Sequence, residues 1–279
     1  MASPAYALAV AVIWAVSPIY YRGFLSKFDF LSFNLLRTAT ASAVLAVPAL
    51  YYWSSAGVGL AVPSGVLTLA CGDSLFLLSL GEVGASVATP VGYTYVLMIQ
   101  LVGISIGQEI PYGNLVAAVM VVGGVYLLSY GGGGKARPKG AALAISAGVF
   151  WTVGQELIQA ATNAGGNFLV LTFTSRASAA VALGVAFLLT KRRAAWPRGI
   201  GARQYTFILA LIISDLALGS TLFVYSVSTV GVALTVILTS LSPLLTQVLA
   251  KALGKESPSA RDFAGGLLIV TALVLAVAA

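Results

Sequence analysis

The chain has no histidine, a single cysteine and few charges: only 8% of its 279 residues are Asp, Glu, Lys or Arg. Each shortage excludes something. Without histidine there is no imidazole base and no Cys/His metal site, and the lone Cys71 cannot close an intramolecular disulfide. A water-facing globule carries about 25% charged and about 45–50% apolar residues, whereas this chain is 59% hydrophobic with a mean hydropathy of +0.98. There is too little polar side chain to cover a surface in water, so the solvent is a lipid bilayer. The net charge of +7 does not point to nucleic acid, because the basic residues sit in short loops between apolar segments. There they orient a chain in a membrane. The sequence shows no metal-ligand set, no cofactor motif and no nucleotide-binding loop. It opens MASPAYALAV, without a basic n-region or an evident cleavage site, which predicts a retained first helix rather than a signal peptide.

What is present is apolar sequence in helix-length runs. A crossing helix needs roughly 20 apolar residues, and the chain offers ten such stretches: 4–22, 30–53, 62–80, 85–105, 113–130, 140–160, 167–190, 205–226, 231–251 and 260–279. They are continuously apolar, not alternating, which excludes a β-barrel. The expected fold is an all-α membrane protein of ten transmembrane helices. Residues 1–130 would form a first five-helix repeat, 131–139 a linker around Gly131–Gly134, and 140–279 a second repeat.

The two halves resemble each other. An offset of 147 positions sets Ser74-Leu75-Phe76 on Thr221-Leu222-Phe223, Val83-Gly84 on Val230-Gly231, and Gly107-x-Glu109-x-Pro111 on Gly254-x-Glu256-x-Pro258 without a gap. With small loop adjustments Trp14 faces Trp151 and Arg37 faces Arg176. Five spans per half is odd, so the second half enters from the opposite side. That makes an inverted repeat, as many secondary transporters use for alternating access. Of fifteen basic residues, all but Arg37 and Arg176 fall in or beside the loops after spans 1, 5, 7 and 9. The positive-inside rule makes that face cytoplasmic and puts both termini outside, in a multi-pass protein of the inner or plasma membrane.

Ten helices in two repeats, an Arg in the second helix of each, and Gly-x-Glu-x-Pro between the fourth and fifth resemble the drug/metabolite transporter superfamily, EamA-type branch. The clearest segments are Leu238–Leu245 (LTSLSPLL) and Leu253-Gly254-Lys255-Glu256 through Gly265-Gly266; the first half replaces the Ser-Pro with Tyr95-Val96. The resemblance implies a basket around a central cavity lined by helices 1, 3, 4, 6, 8 and 9, with the fifth and tenth packed to one side. It also implies a small-molecule solute as partner. Amino acids or similar metabolites are favoured over organic cations or drugs. An enzyme acting on lipid or polyprenyl substrates is the alternative from another class, and it would need interfacial acids or histidines that the basic loops lack.

Several residues stand out as candidates for the site. Asp73 and Asp215 fall in mid-span, where a carboxylate costs about 2.5–3.5 kcal/mol and must face protein or a wet cavity. Either could serve a proton, a cation or a solute amine, or could be a structural acid bonded to Ser74, Ser214 or Ser220. A membrane aspartyl protease is excluded by the Cys71-Gly72-Asp73 and Ile213-Ser214-Asp215 contexts. Trp14, with Ser17 and Pro18, and Trp151, with Gly154 and Gln155, present polar-plus-aromatic faces suited to the wall of a solute site. Tyr93, Tyr95, Gln100, Tyr225, Ser240 and Gln247 are weaker entrants, and Glu156 is expected in a wet vestibule. Arg37 and Arg176 are expected as scaffold, bracing neighbours or snorkelling. Pro18, Pro90 and Pro243 interrupt helices 1, 4 and 9 and are candidate kinks or gates.

Overall fold

A computed structural model describes residues 4–130, 138–190, 200–253 and 260–278, and among them every regular element is helical. The expected linker around Gly131–Gly134, the basic run 191–199 and the second Gly-x-Glu-x-Pro at 254–258 lie outside these residues. In hydrocarbon a backbone must satisfy its own polar groups, so helices are what an apolar chain of this length can form. In chain order they are α1 (Ala5–Phe24), α2 (Phe30–Tyr51), α3 (Val58–Gly65), α4 (Asp73–Val83), α5 (Ala85–Gly92), α6 (Tyr95–Ser105), α7 (Tyr112–Tyr130), α8 (Pro138–Asn163), α9 (Phe168–Leu189), α10 (Ala202–Ile212), α11 (Ser220–Thr239), α12 (Leu241–Ala252) and α13 (Ala260–Ala278).

Two joints in this list are not loops. Val66–Gly72 joins α3 to α4 and Ile213–Gly219 joins α10 to α11, each as seven residues of π-helix. The two wide turns lie 147 residues apart, the offset read from the sequence. By length and composition seven helices are fit to cross a membrane, one of them the 51-residue run Ala202–Ala252; shorter apolar helices cover Tyr112–Leu127 and Ala264–Ala278. The long run is more than twice what one crossing needs. Inside it Gly231 turns the chain at φ 81° and ψ 161°, and Gly84 does the same at φ 82° and ψ 170°. That backbone region is essentially closed to residues with a Cβ, which explains why both Val-Gly pairs hold glycine.

The second helix of each half starts in the same way. Asp29 accepts hydrogen bonds from the amides of Leu31 and Ser32, and Asn167 from those of Leu169 and Val170. Each caps a 22-residue helix and satisfies donors that the first turn leaves open. The halves then pair across one another. α2 lies on α9, α7 on α13, α1 on α11 and α12, and α8 on α4 and the first wide turn. α7 and α13 pack closely, with Gly124 so near Gly265 and Ile269 that a Cβ there would meet the Gly265 carbonyl oxygen at 2.7 Å.

Two of the three expected interruptions lie beside their prolines and one is absent. Pro18 sits within an unbroken α1. Pro90 lies inside α5, and the break follows it at Tyr93-Thr94; Pro243 lies just beyond the Ser240 break, in the first turn of α12. A first turn has no use for the missing N–H, so Pro243 starts the helix that follows the interruption.

Candidate functional site

Where the two wide turns face each other the interior is hollow. A cavity of about 120 Å³ is bounded by residues of α1, α2, α3, α4, α5, α6, α8, α9, α11 and both wide turns. That is well above the roughly 10–15 Å³ needed to hold a single water, so the hollow can take several waters or a small solute.

Its charged floor is built around one guanidinium. Arg37 Nη2 lies 3.2 Å from Asp73 Oδ2 and 3.2 Å from Asp215 Oδ2, with all three side chains close to fully buried. The acids come from different halves: Asp73 is the first residue after the first wide turn, and Asp215 is the third residue of the second. Tyr21 donates its hydroxyl to Asp215 Oδ2 at 2.6 Å, and its ring lies 4.6 Å from the Arg37 guanidinium carbon. Asn34 locks the arrangement. Its Oδ1 accepts from Arg37 Nη1 at 3.2 Å, while its Nδ2 donates to the Leu69 carbonyl at 2.7 Å and to Ser74 Oγ at 3.0 Å. A carbonyl within the wide turn thereby gains a side-chain partner.

The walls are two copies of one aromatic device. Trp151 on α8 donates Nε1–H to Asp73 Oδ1 at 3.0 Å, lies 5.1 Å from the Phe76 ring and packs on Gly72, where a Cβ would meet its Cδ1 at 2.7 Å. Trp14 on α1 lies 5.2 Å from the Phe223 ring, donates to the Asp215 backbone carbonyl at 3.4 Å and packs on Gly219, where a Cβ would meet its Nε1 at 2.9 Å. Gly72 and Gly219, and likewise Phe76 and Phe223, are 147 residues apart. Each half lays its first-helix tryptophan on the wide turn of the other.

Of the residues singled out from sequence, Trp14, Ser17, Pro18, Asp73, Tyr93, Tyr95, Trp151, Gln155 and Asp215 line this cavity. Ser240 and Gln247 do not. Ser240 turns its hydroxyl back onto the Ile237 carbonyl, and α12 spends the hydroxyls of Ser242 and Thr246 on the α1 carbonyls of Ala11 and Ala15. Pro90 and Pro243 are likewise absent from the lining. Gln100 donates to the Ala233 carbonyl, and Tyr225 packs between Tyr6 and Phe168. Glu156 is not in a wet vestibule: it is 8% exposed and accepts from Gln108 Nε2 at 2.7 Å.

The arginines, expected as scaffold, also reach the cavity, and Arg37 braces acids of both halves there. Arg37 from the second span, and Ser175 and Arg176 from the seventh, reach the cavity, while the ninth span contributes nothing to its lining. Sequence reasoning also passed over Tyr21, did not count Thr68 in the site, and weighed Ser220 only as a partner for an acid. The last two were legible as the repeat partners of Asp215 and Asp73.

Comparison with known proteins agrees with this architecture. The profile of the EamA-like transporter family matches residues 2–130 and again 138–278. The chain belongs to that family. An uncharacterized transporter of Archaeoglobus fulgidus is 28% identical over 152 residues, 52% of this chain and 54% of that protein, so the chain spans about half the length of this relative. A crystal structure of another protein superposes with a TM-score of 0.75, covering 98% of this chain and 95% of that one at 19% identity, a likeness of fold. The chain is thus an integral, multi-pass membrane protein of a transporter family, with a hollow between its two halves.

Proposed function

We propose that this protein is a secondary transporter that moves a small organic solute, an amino acid or a similar metabolite, by alternating access. Counting the Gly231 turn as a boundary and including the two shorter apolar helices gives ten crossings, five per half, in opposite senses. The basic loops then face the cytoplasm and both termini the outside.

One observation carries this reading. Ten buried side-chain polar atoms have no hydrogen-bond partner among the described residues, and seven belong to cavity residues: Ser17, Arg37, Thr68, Thr89, Gln155, Arg176 and Ser220. Buried polar groups are normally paired, so their concentration around one hollow marks a surface built to bond something that comes and goes. Aromatic walls with a few convergent polar groups are the usual make-up of a site for a small amphipathic solute. An organic cation is a poorer guest, because the two carboxylates that would attract it already share Arg37.

The test is uptake into proteoliposomes of a panel of labelled amino acids, nucleosides and organic cations. Saturable flux of an amino acid or related metabolite is expected. Flux of none of the panel, with the protein shown to be folded, overturns the carrier assignment.

A further inference from the structure

Arg37 and Arg176 differ in one decisive respect, which is what each has for company. Both are buried in the cavity wall, at 5% and 7% exposure. Arg37 takes both acids, a tyrosine ring and an asparagine. Arg176 has one side-chain partner, Ser175 Oγ at 2.7 Å from Nη1; its Nε is buried without a partner, and among the described residues no carboxylate stands within ion-pairing distance. The elements packed against α9 are chiefly α2, α3 and the first wide turn, with lesser contacts from α11 and α8. To the cavity lining they bring Ser64 and Thr68, hydroxyls without charge, and Arg37, a charge of the same sign; among the described residues none brings a carboxylate.

We propose that Arg176 is the carboxylate anchor of the cavity, so that the solute carries a carboxylate as an obligatory recognition group. This rests on reading the cavity as the solute site. Counting Arg37, Arg176, Asp73 and Asp215 in their ionised forms, the lining is neutral, but the charge is unevenly spread: both acids touch Arg37 and act on Arg176 only from beyond ion-pairing distance, so its positive charge is incompletely balanced. A planar guanidinium with free N–H groups matches a carboxylate by paired hydrogen bonds. A buried charge without a partner is costly to keep, and an arriving anion removes that cost. A solute amine gains no such partner, because the acids are already engaged.

The experiment uses the full chain, purified in detergent, with binding read by ligand-induced thermal shift and by competition. Three probes share one ring: phenylalanine, 3-phenylpropanoate (no amine) and phenethylamine (no carboxylate); a set of aliphatic amino acids and short aliphatic carboxylates is run beside them. Carboxylate-bearing probes are expected to bind and phenethylamine to bind at least tenfold more weakly. Arg176→Gln is expected to lose about 10- to 100-fold in affinity for the carboxylates, the range of one charged hydrogen-bonding contact, with no loss for the amine; Arg176→Lys recovers part. The proposal is overturned if phenethylamine binds the unaltered protein as well as phenylalanine does, if no carboxylate binds, or if Arg176→Gln keeps its carboxylate affinity. The probe series on the unaltered protein decides the matter even if the variant does not fold. Carboxylate binding without flux in liposomes would refute the transport reading and leave the anchor standing; flux indifferent to the carboxylate would do the opposite.

Discussion

The two halves of this molecule share a backbone and differ in chemistry. Each has a capped second helix, a seven-residue π-turn in its third span, a glycine turn after it, and a tryptophan laid on the other half's wide turn. Yet the first half places its acid just after the wide turn and the second places it inside, opposite Thr68 of the first. One arginine collects both acids and the other collects neither. A pseudo-symmetric frame thus encloses a polarised compartment, and the polarity comes from side chains that break the repeat.

The largest test of this contrast is to neutralise each arginine in turn. Arg37→Gln strands two buried carboxylates and is expected to cost about 3–5 kcal/mol, the usual toll for breaking a buried pair from one side. Arg176→Gln removes a guanidinium that both acids reach only from beyond ion-pairing distance, and is expected to cost clearly less than Arg37→Gln. Thermal unfolding in detergent compares them, and equal losses would erase the distinction. Next come Gly72→Ala and Gly219→Ala. A methyl at either would press on a tryptophan at 2.7 or 2.9 Å, with an expected cost of about 1–3 kcal/mol and reduced solute affinity. Similar effects at both positions would support equivalent walls; a large effect at one alone would show that the halves use their tryptophans differently. Smallest is the cap pair: Asp29→Ala and Asn167→Ala should each cost about 1 kcal/mol without altering solute selectivity, and a selectivity change at either would mean that the cap senses the cavity.

Much of this was legible before any coordinates. Helix-length apolar runs locate the helices to within a few residues, and the 147-residue offset anticipates the pairing of Gly84 with Gly231 and of Phe76 with Phe223. Asp73, Asp215 and the two tryptophans declare themselves because charge and indole are conspicuous in mid-span. The partnership of Arg37 with both acids was not read, because it joins residues 36 and 178 positions apart through the packing of three helices. One signal was available: a buried arginine in lipid needs an acid, and the chain offers few at that depth. Ser240 and Gln247 were misplaced because hydropathy does not tell which side of α12 faces α1. The wide turns were beyond periodicity altogether, since seven residues in an apolar run read as ordinary helix.

Those wide turns have a consequence for how the site is written into the chain. A π-turn holds one residue more per hydrogen-bonded ring than an α-turn, so everything after it is rotated by about one residue's step, roughly 100° around the axis. The direction in which Asp73 and Phe76 point, and Phe223 likewise, is therefore set by a tally of residues upstream. No side-chain replacement within Val66–Gly72 or Ile213–Gly219 is equivalent to removing one residue from either, which would swing a whole wall of the compartment away from its guest.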